Sequence, residues 1–427
     1  MGAEKEAMKY IGLVAGLSMM AAPLAAQRSP EQTAQAALKA APVFDGHNDV
    51  PWALRERYRN VIDGFDFSDS TKAPAPEGEG AMHTDIPRLR KGRVGAQFWS
   101  VYVPGTLKKP EAVVAVMEQI DVTKRLLARY PETFTLVTDA AGVEAAMKRG
   151  RIASIMGMEG GNSIGESLAV LRQTYDLGAR YLTLTHNSTL SWADAATDTP
   201  RHDGLTDFGR KVVREMNRLG MLVDLSHVSE ATMMDALDES RAPVIFSHSG
   251  ARAINGHARN VPDSVLRRLP ANGGVVMVVG LPGFLGEDLR QWTANRAAEQ
   301  ARLASLWRGQ PDQVAKALAT WDATNPEPKV GIGAWADHVD HIRKVAGVDH
   351  VGIGGDYDGM PSGPVGAEDV TGYPVLFAEL ARRGWTQAEL EKLANRNIMR
   401  ALRGAEAVAA SQKALAPLET PAVGTEP

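Results

Sequence analysis

Residues 206–249, TDFGRKVVREMNRLGMLVDLSHVSEATMMDALDESRAPVIFSHS, carry the pattern that decides the fold. The first fifteen residues are spaced for a helix, with Asp207 in the first turn and Gly220 closing it. MLVDLSHV (221–228) and PVIFSHS (243–249) are short β-rich runs, almost continuously apolar until each reaches a Ser-His pair. Unbroken apolar runs suit strands buried on both faces, as in a parallel sheet flanked by helices.

Outward from this segment the alternation recurs. Upstream lie PVFDGHND (42–49), VGAQFWSVYV (94–103), IASIMGM (152–158) and ARYLTLTHN (179–187); downstream lie GVVMVVG (274–280) and HVGIGGD (350–356). Helical stretches fit between them, as in SLAVLRQTYDLG (167–178), where Leu168, Val170, Leu171 and Tyr175 share helical spacing ahead of Gly178. Eight βα units predict an α/β chain folded as a (β/α)8 TIM barrel, and 427 residues suit one such barrel with extra loops. Two stretches exceed a minimal barrel. Residues 59–92, rich in Gly, Pro and charge, read as a long loop above the barrel mouth, and 281–336 reads as a helical insertion after strand seven.

With 47 Lys and Arg against 51 Asp and Glu, and the basic residues scattered, no footprint for nucleic acid is present. Lys5 and Lys9, the apolar run Ile11–Leu24 and then Ala25-Ala26-Gln27 have the order of a signal peptide over residues 1–26. That run is shorter than the ~20 apolar residues of a membrane span. The expectation is therefore a bacterial periplasmic or secreted protein with no stable membrane anchor. There is no cysteine, which excludes disulfides and a lipid-bearing Cys. The barrel domain is assigned to 27–404, and residues 405–427 to a flexible tail beginning as a helix end.

The chemistry-bearing residues close the apolar runs: His47 and Asp49 the first, Glu159 the third, His227 the fifth, His248 the sixth and Asp356 the eighth. In a (β/α)8 barrel those ends converge on one mouth. A period of two puts His47 and Asp49 on one face, able to share an ion. One such histidine alone is more often a hydrogen-bonded structural residue. Three imidazoles and three carboxylates crowded together call for a cation, because uncompensated buried charge is costly and a divalent metal neutralises it.

DGHNDVPWAL (45–54), GMEGG (157–161), YLTLTHNS (181–188), DLSHVS (224–229), SHSGARAINGHARNVPD (247–263) and HVGIGGDYDG (350–359), in this order, resemble the membrane (renal) dipeptidase family. These are binuclear zinc metallopeptidases of the amidohydrolase type, and the resemblance covers roughly residues 40–403. It implies two Zn2+ ions, the first on His47 and Asp49, the second on His227 and His248, with Glu159 bridging. It implies hydrolysis of dipeptides, with tolerance of a D-residue at the C-terminal position, by a metal-bridging hydroxide. Asp356 is read as the proton carrier, with a turn role beside Gly354, Gly355 and Gly359 as its plainer alternative. The resemblance assigns His186 to the substrate and the developing oxyanion, and Arg259 to the substrate's terminal carboxylate. Their alternatives are a rim hydrogen bond for His186 and a helix cap for Arg259. His83, His202, His257, His338, His341 and His350 are left as surface or supporting residues.

The 281–336 insertion departs from the family pattern and leaves the substrate range open. Without cysteine a disulfide-linked dimer is excluded, while a non-covalent homodimer stays compatible. The same barrel and hydroxide would also open β-lactam or lactone rings. A non-catalytic periplasmic binding protein is the third alternative, disfavoured because every expected ligand is present.

Overall fold

Each of the eight apolar runs forms a strand of the computed structural model, which describes residues 28–76 and 80–421. The barrel strands are Val43–Asn48, Val94–Tyr102, Ile152–Glu159, Ala179–Thr183, Leu222–Asp224, Ile245–Ser249, Val275–Val278 and Val351–Ile353. Every neighbouring pair is parallel. The order runs from the second strand through the first, eighth, seventh, sixth, fifth and fourth to the third, which pairs back to the second and closes the ring. Helices lie between the strands, so this is a (β/α)8 TIM barrel. One strand escaped the sequence reading: Phe134–Leu136 adds to the outer edge of the third barrel strand. With three residues it is too short to show a period.

Successive residues along the strands face opposite sides, as the pleat requires. Phe44, Phe98, Ile155, Tyr181, Leu222, Ile245 and Met277 share one buried cluster. Val43, Trp99, Met156, Leu182, Val223, Phe246 and Val276 join a second, with apolar faces of the helices. The helix expected over 206–220 is Asp207–Leu219, where Thr206 accepts a hydrogen bond from the Gly209 amide and Gly220 ends it in left-handed backbone at φ 84°.

The expected insertion folds as helices Pro282–Leu285, Glu287–Leu306 and Pro311–Thr324 before the barrel helix Ile332–Ala346 begins. The two long helices hold each other through an Arg296–Asp322 ion pair at 2.8 Å and through Trp292, whose indole donates to the Asn325 carbonyl. At the C-terminus, helix Asn397–Ser411 runs past the boundary expected at 404. Beyond it the Leu418 amide donates to Glu215, and its carbonyl accepts from Arg172. The expected signal peptide, 1–26, lies outside the described residues. Among those residues no helix is long and apolar enough to cross a membrane.

Candidate metal centre and active site

His47, Asp49, Glu159, His227, His248 and Asp356, from five different strand ends, meet at one point and are all buried. The strands stop short of some of these residues. His227 and Asp356 lie three residues beyond the fifth and eighth strands, in left-handed backbone at φ 70° and 64°. Such strain in non-glycine residues persists only where surrounding structure enforces it. The strict two-residue period expected to align His47 with Asp49 is also interrupted. A register shift falls between Asp45 and Asn48, and Asp49 begins the next helix. The two side chains still converge, His47 Nε2 lying 3.3 Å from Asp49 Oδ2.

Glu159 sits at the centre and turns its two oxygens to different partners. Oε2 lies 3.3 Å from His47 Nε2, while Oε1 lies 3.0 Å from His227 Nε2 and 3.4 Å from His248 Nε2. The His227 and His248 Nε2 atoms are themselves 2.9 Å apart. Three overlapping sets, His47–Asp49–Glu159, Glu159–His227–His248 and His47–His248–Asp356, each bring their donor atoms within 4.8 Å of one another.

Each imidazole is engaged at Nδ1, leaving Nε2 for the centre. His47 Nδ1 meets the Tyr181 hydroxyl at 2.8 Å, His227 Nδ1 meets Asn187 Oδ1 at 3.0 Å, and His248 Nδ1 meets Ser247 Oγ at 2.8 Å. Partners of this kind orient imidazole ligands toward metals. His47 Nε2 is a buried nitrogen without a hydrogen-bond partner. Imidazole nitrogens and carboxylates of this number suit a divalent cation such as zinc, so the residues fit the group that the motif set implies.

The electrostatics agree. Burial disfavours charge on His47, but Tyr181, Asp49 and Glu159 outweigh it and hold its pKa well above the ordinary value. The field therefore favours positive charge at this point. Burial, with Arg259 adding to it, holds His227 and His248 neutral, the state in which imidazole binds metals. Burial opposes ionisation of Glu159 too, yet the facing imidazoles keep its carboxyl well below the usual range. Asp356 is driven well above it, by burial first and then by Asp49 and Glu159 against the pull of His47 and Arg259.

A cavity of about 300 Å³ opens over the cluster, lined by Asp49, Glu159, His227, His248 and Asp356 together with Trp52, Tyr102, His186, Arg259, Leu281 and Phe284. His186 packs between the tilted rings of Tyr102 and His227 and lies 3.8 Å from Glu159. Arg259 is buried, donates weakly to Ser249 Oγ and the His248 carbonyl, and has an unpartnered Nε. Burial lowers its pKa to about 10. Among the described residues it forms no salt bridge.

The match with known proteins is extensive. The model of the membrane dipeptidase family, peptidase family M19, covers residues 31–415. The chain belongs to this family. Family membership makes it a metallopeptidase of the dipeptidase kind, as the motifs implied. Dipeptidase 3 of Rattus norvegicus is 40% identical over 393 residues, spanning 91% of this chain and 70% of that protein. Dipeptidase 3 of Macaca fascicularis is 41% identical, spanning 90% and 70%. Among solved structures, an M19 dipeptidase is 27% identical with a TM-score of 0.68, covering 86% of this chain and 98% of its own. A metallopeptidase from Rhodobacter sphaeroides, liganded with a phosphinate mimic of the dipeptide L-Ala-D-Ala, is 26% identical with a TM-score of 0.68, covering 86% and 99%.

All eight residues named from the sequence thus line one cavity or its floor. The supporting groups were missed. Tyr181, Asn187, Asp224 and Ser247 lie inside the quoted motifs, and a polar residue within an apolar run was their only signal. Asp45 is a further one: buried, it accepts from the His47 and Gly355 amides and the Tyr373 hydroxyl, tying the first strand end to the eighth. Of the six histidines left aside, His338 is no surface residue. It is wholly buried, accepting from the Ala251 amide and donating to the Leu285 carbonyl.

Proposed function

We propose that this protein is a zinc-dependent dipeptidase that takes short substrates with a free C-terminal carboxylate. The carrying observation is Arg259: a buried guanidinium that forms no salt bridge among the described residues, lining the cavity that holds the carboxylate and imidazole cluster. Burying such a charge is costly, and a substrate carboxylate would compensate it bidentately. The clamp would restrict cleavage to dipeptides, because a longer chain presents an amide where the carboxylate binds.

His47 and Asp49 would hold one zinc ion and His227 and His248 the other, with Glu159 between, and the pair would supply an activated water as nucleophile. His186, kept neutral by burial, is placed to donate to the oxygen that becomes negative. Asp356 takes the proton of the attacking water and hands it to the leaving amine. The ligand in the Rhodobacter sphaeroides relative supports tolerance of a D-residue at the C-terminal position. The N-terminal run of residues 5–27 supports export from the cytoplasm as the setting.

Kinetics of the zinc-loaded protein on L-Ala-L-Ala, L-Ala-D-Ala, their C-terminal amides and a simple lactone test this reading. Both dipeptides are expected to be cleaved, with at least about 100-fold loss on the amides. Equal turnover of the amides would discard the clamp, and turnover of the lactone alone would discard the peptidase.

A further inference from the structure

We propose that Asp224 and Ser247 form a buried relay that orders one proton, fixing His248 in the tautomer whose Nε2 lone pair faces Glu159 and His227. The inference rests on the metal-centre reading and concerns how that centre is prepared before a cation arrives.

Asp224 ends the fifth strand and is completely buried. Its Oδ1 accepts from the Ser226 amide at 3.1 Å and the Ser247 amide at 2.8 Å. Its Oδ2 accepts from the Thr183 hydroxyl and, at 2.7 Å, from the Ser247 hydroxyl. Ser247 Oγ in turn lies 2.8 Å from His248 Nδ1. A serine hydroxyl has one proton, and here two close acceptors compete for it, the third, Ser226 Oγ, lying farther off at 3.5 Å. The buried carboxylate is the stronger, since a charge-assisted bond exceeds one to a neutral ring nitrogen and an under-bonded buried charge is expensive. Ser247 therefore gives its proton to Asp224 and turns a lone pair to His248. Nδ1 must then carry the ring proton, and Nε2 is left bare at the centre of the cluster.

Neither of the other two imidazoles is decided in this way. The Tyr181 hydroxyl facing His47 Nδ1 can donate or accept. The Asn187 amide facing His227 Nδ1 can present its oxygen or its nitrogen. The relay also reaches the substrate clamp: Ser226 Oγ accepts from the His248 amide and from Ser249 Oγ, and Ser249 Oγ accepts from Arg259. Asp224 thus positions His248, and that ligand takes up its cation with no tautomer change to make.

Two measurements on the full-length protein test this. In the metal-free [15N]histidine-labelled protein, long-range 1H–15N spectra are expected to show His248 protonated at Nδ1 and bare at Nε2, and Ser247→Ala is expected to mix the tautomers. Zinc affinity by competition with a chromophoric chelator is expected to fall about 10- to 100-fold for one equivalent in Ser247→Ala. Asp224→Asn is expected to weaken the same equivalent, and the double variant to lose no more than the worse single variant, because a relay breaks only once. Thermal unfolding of the metal-free variants separates this coupling from general damage. A proton on His248 Nε2 in the unaltered protein, unchanged affinity in Ser247→Ala, or fully additive losses would each overturn the relay. If the unaltered protein binds no zinc, the metal-centre reading falls with its affinity arm, while the tautomer spectrum still decides the proton's position.

Discussion

The Glu159 carboxylate, with one oxygen toward His47 and the other toward His227 and His248, is where single substitutions tell most. Glu159→Gln replaces one of those oxygens by an NH2 group, and metal analysis should find at least one equivalent lost. Arg259→Lys keeps the charge but not the fork, so KM for a dipeptide should rise about tenfold or more with a smaller change in kcat. Asp356→Asn should leave KM near its original value and lower kcat about 100- to 10,000-fold, as removal of a proton carrier does. Glycines also bear on this scale. A Cβ at Gly157 would sit 2.0 Å from the Tyr181 ring, whose hydroxyl meets His47, so Gly157 exists to make room for that support. Six of the eight candidate side chains were legible in the sequence because each closes an apolar run, while the roles of His186 and Arg259 came from the resemblance of their motifs to the family. Their partners were not, since Ser247 and Asp224 look like ordinary serine and aspartate until the strands are placed side by side.

Between elements, His338 is the informative contact. It projects from helix Ile332–Ala346 and binds both the Ala251 amide, in the segment leading to Arg259, and the Leu285 carbonyl at the start of the insertion. Burial lowers its pKa from 6.5 to about 4. The folded state therefore holds fewer protons than the unfolded chain between those values. Its stabilising contribution is complete above about pH 6.5 and is lost as pH falls toward 4, a span worth about 3 kcal/mol. Urea unfolding at pH 7 and pH 4.5 should show a drop in stability that is smaller in His338→Gln, which does not titrate. An equal drop in both proteins would exclude His338 as the cause. The helix–strand alternation itself was readable from periodicity. The edge strand Phe134–Leu136 and the packing of the 287–324 helices were not, because both depend on neighbours distant in sequence.

Across the whole molecule the cluster joins five of the eight strand ends, so a bound cation ties the barrel mouth together. Chelation is expected to lower the melting temperature and added zinc to restore it, as binding to the folded state alone requires. At the outer surface the C-terminal segment is fastened by the Leu418 peptide group between Arg172 and the buried Glu215. Truncation after Ser411 should cost about 3 kcal/mol or more in unfolding experiments, the scale of two charge-assisted hydrogen bonds, and leave kcat/KM on a dipeptide unchanged.

By itself the sequence determined the barrel, its strand count and six of the residues at its mouth, because burial on both faces writes unbroken apolar runs and His47, Asp49, Glu159, His227, His248 and Asp356 each close one. Only the tertiary structure decided that Glu159 divides its oxygens between two imidazole sets, that Arg259 is buried with no salt bridge among the described residues, and that Asp224 reaches His248 through Ser247. The physical reason is that hydrogen bonds and charge pairing depend on distances of about 3 Å between atoms, and closure of the ring, rather than any local pattern, sets those distances across strands.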